Sequence, residues 1–162
     1  MKNFAVEIKW GIRYIFAYLA WIIMEKSIGI YTDKIDDYFL SSLLFYVFAF
    51  LIYILAISDK KKHFFNNNMD WKQGCVSGII MSIVIALLMP VSQIVIHKAI
   101  APEFFPNMIK HALASGKNKP EVVMDNFNLK AYIYQSIFFS LSIGVVYAAV
   151  VSSFLKTKNI TK

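Results

Sequence analysis

The sequence predicts an all-α fold: an integral membrane four-helix bundle with an extracytoplasmic amphipathic helical hairpin between its third and fourth spans. Three observations predict it. Hydrophobic residues make up 58% of the 162 positions and charged residues only 17%, against about 25% charged in ordinary soluble domains. Three long windows contain no Asp, Glu, Lys or Arg. The net charge of +7 gathers on one side of the arrangement that those windows define. The length fits a single membrane domain, 1–162, and excludes a large multi-domain enzyme.

A bilayer core about 30 Å thick takes about 20 apolar residues in a helix. The first span, expected over 8–30, is the least regular, because its charge-free run from Tyr14 to Met24 has only 11 residues. Such a run covers about 17 Å at the helical rise, so the helix must continue past Lys9 and Arg13, past Glu25 and Lys26, or both. Lys and Arg reach the headgroups on long stems while Glu is short, which places Glu25 below the surface. Trp10 and Trp21 read as interfacial anchors. Met24-Glu25-Lys26-Ser27 offers no small-residue cleavage site, so the segment is expected to stay uncleaved. Glu7, Gly11, Tyr14, Tyr18, Trp21 and Glu25 share one helix face.

The second span is expected over 38–58, where Tyr38 to Ser58 gives 21 residues without a charge. Ser42, Tyr46, Ala49, Tyr53 and Ala56 share one face of it. Tyrosines on these two faces either fill the core and the interfaces or line a solute path. The following Lys60-Lys61-Lys62-His63-Phe64-Phe65 suits anionic headgroups.

The third span, 73–98, opens with Asp70 and Gln73 at the spacing of a capping box. It carries Gly74, Gly78, Ser82 and Ala86 at strict four-residue intervals. Pro90 leaves the Ala86 carbonyl without its intrahelical partner and predicts a kink, structural or hinging. The fourth span, 130–155, carries Ser136, Ser140, Gly144, Ala148 and Ser152 at the same interval. Residues four apart lie on one helix face, and helices in lipid associate through small residues that let backbones approach. The two grooves are expected to face each other.

Between these spans the hairpin, 101–128, is too polar to cross. Pro102 suits a helix start, Phe105, Met108, Ile109, Ala112 and Leu113 form a stripe, and Gly116 suits a C-cap; Pro120 begins a second short helix with Val123, Met124 and Phe127. The expected position is on the membrane surface with the apolar face down.

Charge sets the orientation. Lys2, Lys9, Arg13, Lys60, Lys61, Lys62, Lys72, Lys156, Lys158 and Lys162 share a side with only Glu7, Asp59 and Asp70, while seven basic and seven acidic residues fall on the other. The positive-inside rule places both termini in the cytoplasm. The basic excess is thereby explained without nucleic acid.

The chemistry is sparse. Cys75 is the single cysteine and the three histidines lack metal-ligand spacing with it, so neither a disulfide framework nor a metal site nor a cofactor is indicated. Ser136, Ser140 and Ser142 have no histidine and carboxylate placed for nucleophilic catalysis. The leading cluster arises from depth: Gln93 and Gln135 sit at similar heights, about 28 and 30 Å from the far ends of their helices, near the level of Glu25. With Tyr18 they form a candidate intramembrane polar cluster, read either as a satisfied structural network, as interfacial solvation of Glu25, or as ion or solute handling. His97 and His111 could approach Glu25 from the same end.

Trp21-x-x-x-Glu25-x-x-x-Gly29, Ser58-Asp59-Lys60-Lys61, Trp71-Lys72-Gln73-Gly74, Phe127-Asn128-Leu129-Lys130 and the Tyr132 to Ser136 stretch together carry a family resemblance. The chain resembles, over nearly its full length, the bacterial integral-membrane family catalogued as domain of unknown function 4199. That resemblance implies four spans and no established activity, so no catalytic residue carries over. The expected role is non-enzymatic: a structural or interaction protein in the lipid bilayer, packing with a second copy or another membrane protein. The alternative is a small oligomeric transporter or channel subunit using Glu25.

Overall fold

A computed structural model describes residues 4–116 and 119–157; Lys2, Lys117, Lys158 and Lys162 of the charge count lie outside them. Among the described residues there are six α-helices and no strand: α1 (Ala5–Ser27), α2 (Tyr38–His63), α3 (Trp71–Val95), α4 (Phe104–Ala114), α5 (Pro120–Asn126) and α6 (Leu129–Leu155). The first long helix ends three residues short of the expected 30. The N–H of Gly29 bonds the Lys26 carbonyl at 3.1 Å and that of Ile30 bonds the Glu25 carbonyl at 3.0 Å, with Gly29 at φ +83. This is the Schellman closure, which needs a left-handed residue that only glycine supplies freely. At the other extreme α2 runs on to His63, because the charges after Ser58 find partners within the fold. α3 continues through Pro90 to Val95 and then widens into a π-helical turn, Ile96–Ile100, closed by the Ala101 N–H on the Ile96 carbonyl at 2.7 Å.

Packing centres on α3, which touches α1, α2 and α6. Its small-residue row meets that of α6 in antiparallel register: Gly74 faces Ser152, Gly78 faces Ala148, and Gly144 faces Ser82 and Tyr53. The Tyr53 and Ser82 hydroxyls, 2.8 Å apart, tie α2 to this seam. α1 joins the same helix where Gly11 lies against Val84. The expectation of one groove over the full length needs a correction. Beyond Gly144 the α6 row reaches Ser140 and Ser136, which are half-exposed and turn their hydroxyls to the Ile137 and Ile133 carbonyls at 2.9 Å. There the helices part and a cavity opens.

The hairpin also differs from expectation. Phe104 and Met108 of α4 bury against Ile22, Ile30, Tyr31 and Ile96, so the start of the helix caps the ends of α1 and α3 with part of its apolar face turned into protein, while Leu113 and, in α5, Met124 stay exposed. Lys26 pairs with Glu103 at 3.2 Å, and the Asn107 amide donates to the Tyr31 carbonyl at 2.7 Å. Burying those rings against other side chains removes the same apolar surface from water that a bilayer surface would, and the two tethers fix which occurs.

At the opposite end the capping box is complete: the Gln73 N–H donates to Asp70 Oδ1 at 2.8 Å and the Asp70 N–H to Gln73 Oε1 at 2.9 Å. Met69, fully buried, exchanges bonds with Thr157, and Lys61 Nζ caps the Leu155 carbonyl at 2.8 Å. The end of α6 is thus clasped to the α2–α3 loop.

The exterior is apolar. Phe39, Val47 and Leu55 of α2, Leu87 and Val91 of α3, and Phe138, Val146 and Phe154 of α6 all face outward. Among the described residues three segments, Ile35–His63, Trp71–Ile100 and Leu129–Leu155, are long and apolar enough to cross a membrane.

Candidate functional site

Glu25 is the centre of the hairpin-end site. It lies in the last turn of α1 with 1% of its surface exposed. Three donors surround its carboxylate: the Trp21 indole N–H at 2.8 Å, the Tyr31 hydroxyl at 2.5 Å and the Ser41 hydroxyl at 2.5 Å. Each has a sequence reason. Trp21 is one turn back on the same face, Tyr31 is folded back by the glycine closure, and Ser41 sits in the first turn of α2. Charge-assisted bonds of this kind are among the stronger ones available, and three of them offset much of the cost of burying a carboxylate.

Beside Glu25 a partly open cavity of about 420 Å3 lies between α1, α2, α3 and α6. Tyr18, Glu25, Gln93 and Gln135 all line it, so the four sequence-predicted polar residues converge on one space. They do not form one hydrogen-bonded network. The Gln93 amide donates to the Tyr18 hydroxyl at 3.4 Å and its carbonyl lies 3.1 Å from His97 Nε2, while Glu25 uses Trp21, Tyr31 and Ser41 instead. Ser136, Ser140 and Gly144 line the α6 wall, which joins the upper end of the predicted packing groove to the polar cluster. Pro90 is not among the lining residues; it lies one turn before Gln93.

His97 does not reach Glu25. Its ring stacks on Phe105 with centroids 4.1 Å apart and meets the edge of Tyr132 at 5.5 Å. His111 pairs with Asp36 at 3.4 Å. The two histidines therefore serve separate contacts.

A second polar centre, at the opposite end, escaped the sequence reading. Glu7, counted on the cytoplasmic side, and Lys60, read as a headgroup contact, are 2% and 4% exposed. Lys60 Nζ lies 2.9 Å from Glu7 Oε1, the Ser77 hydroxyl donates to the same oxygen at 2.8 Å, and the ammonium sits 3.9 Å over the Phe64 ring. Beside this pair Asp59 accepts from Lys9 Nζ at 2.5 Å and from the Trp10 indole at 2.6 Å, with His63 Nδ1 at 2.7 Å. Trp10 and Trp21, expected as interfacial anchors, are both donors to carboxylates. The signal for Glu7 was present, since it shares the inward stripe with Gly11 and Tyr14. Lys60 was legible in the same way, because it stands four residues after Ala56 on the inward face that carries Ala49 and Tyr53, whereas Lys61 and Lys62 fall off it.

A chain whose described residues form helices and no strand, with an apolar exterior and three helices fit to cross a bilayer, is a helical membrane protein. The chain belongs to the family described as protein of unknown function, DUF4199, whose model matches residues 9–157. No curated protein and no solved structure matches it. Family membership brings no activity with it, so the chemistry rests on the geometry above.

Proposed function

We propose that the chain is a non-enzymatic, multi-pass protein of the bacterial inner membrane, with four spans and both termini cytoplasmic, acting through packing with a second copy or another membrane component. The outward face of α1 supports the fourth span. Ile8, Ile12, Phe16 and Ile23 are exposed there while Glu7 and Glu25 turn inward. An exterior of that kind suits lipid even though the linear composition of α1 does not. The ten-to-three imbalance of charge supports the orientation.

The single observation that carries the non-transporting role is the engagement of Glu25 by three donors, two on Oε1 and one on Oε2. A carboxylate that exchanges ions with a pathway keeps its lone pairs for its cargo, and this one gives three of its roughly four acceptor sites to Trp21, Tyr31 and Ser41. A small transporter or channel subunit remains the second reading, favoured by the cavity that Glu25 lines. Liposome flux measurements on wild type and Glu25→Gln separate the two. Absence of ion or solute flux from folded wild type, with lowered thermal stability in Glu25→Gln, is the expected result. Wild-type flux that Glu25→Gln abolishes without unfolding favours the transporter.

A further inference from the structure

The cavity is more selective than its size suggests. Tyr14 is 7% exposed and lines it, yet among the described residues its hydroxyl takes part in no hydrogen bond, and the same holds for the Tyr46 hydroxyl and the Gln135 amide. The Tyr18 hydroxyl accepts from Gln93 and so keeps its own proton to donate. Tyr46 is half-buried and Gln135 exposed, so these donors open onto the cavity and are not sealed in the core, and an acceptor that enters the cavity gives them partners. What these groups have in common is an uncommitted O–H or N–H.

Between them the walls are apolar: Phe45, Ile85, Met89 and Ile143 lie along the cavity, and exposed Phe39, Leu43 and Phe139 stand at its open side between α2 and α6. That opening faces the same apolar exterior as the rest of α2 and α6, so a ligand reaches it from the hydrocarbon phase. The one formal charge on the lining is the Glu25 carboxylate. It repels an anion, and with two donors on Oε1 and one on Oε2 it keeps only about one acceptor site for a cation. A volume of about 420 Å3 falls within the range of small-molecule sites, roughly 300–1,000 Å3.

We propose that this cavity binds a neutral lipophile carrying hydrogen-bond acceptors: an uncharged molecule with an apolar body and carbonyl or ester oxygens, drawn from the bilayer, its oxygens accepting from Tyr14, Tyr18, Tyr46 and Gln135. The inference goes beyond the role proposed above, because it holds whether the molecule is retained or passed on.

Trp21 lines the cavity and reports on it. In full-length protein carrying Trp10→Phe and Trp71→Phe, reconstituted in nanodiscs, the probes are a monoacylglycerol with a dibrominated chain, the matching dibrominated alkyl sulfate and the matching dibrominated alkyl trimethylammonium. Saturable quenching of Trp21 by the monoacylglycerol is expected, at a probe fraction at least about tenfold below that of either charged probe. Tyr14→Phe with Tyr46→Phe, which leaves the rings in place, should raise the half-saturation point about tenfold or more, as two lost hydrogen bonds of about 1 kcal/mol each imply. Ser140→Phe, which fills the space from the α6 wall, should make quenching unsaturable. Quenching that rises in proportion to probe fraction in all variants would mean simple partitioning and overturn the site. Equal or tighter saturation by a charged probe would overturn the ligand class. Circular dichroism of each variant separates lost binding from lost folding.

Discussion

Lys60 and Glu25 show how differently single charges behave in one chain. Lys60 is held by Glu7, and removing the ammonium leaves a buried carboxylate whose remaining partner, among the described residues, is the Ser77 hydroxyl. Breaking one side of a buried pair typically costs about 3–5 kcal/mol, while replacing both sides by apolar groups is often neutral. Lys60→Met should therefore destabilise by about that amount, and Glu7→Leu combined with Lys60→Met should recover most of it, read by thermal unfolding in detergent. Glu25→Gln keeps the shape of the side chain but turns an amide N–H toward one of three donors; a loss of about 1–3 kcal/mol is expected from the same measurement. Burial of Glu25 followed from helix length and side-chain reach. Its partners did not, because Tyr31 arrives by a chain reversal and Ser41 by the crossing of α1 and α2, and neither is a fixed spacing along the chain.

For the helices, spacing was the more informative guide. The four-residue rows of α3 and α6 do meet, and Gly78 against Ala148 is among their closest approaches. A branched side chain there must push the helices apart, so Gly78→Val should cost about 1–3 kcal/mol or more, against less than about 0.5 kcal/mol for Val145→Leu on the exposed face of α6. The rows stop meeting at Ser140 because a linear pattern records which residues share a face, not where two helices diverge. Local chemistry was equally legible in the capping box. Asp70→Ala should cost about 1 kcal/mol and should raise amide exchange in the first turn of α3 before any other segment. The amphipathic stripe of α4 was also visible in the sequence. Its partner was not, since protein and bilayer both accept an apolar face.

On the molecular scale, the apolar exterior and the two clasped ends describe a unit whose orientation is testable. With Cys75 replaced by Ala, cysteines introduced at Asn67 and Glu121 should be labelled from opposite sides of sealed vesicles; labelling of both from one side would remove the proposed topology. The two buried polar centres lie at opposite ends of α1, one around Glu7 and one around Glu25, with the α1–α3 contact at Gly11 between the first of them and the cavity. What composition and periodicity determined by themselves is the solvent the chain is built for, the positions of its long helices and the small-residue faces that join two of them, because hydropathy and helical period are properties of neighbours along the chain. Only the tertiary structure decided that Glu7 and Lys60 are a buried pair, that α4 folds part of its apolar face inward, and that the polar residues of the hairpin end surround a cavity. Those outcomes depend on which groups from distant segments arrive together and on whether a charge meets a partner before it meets water.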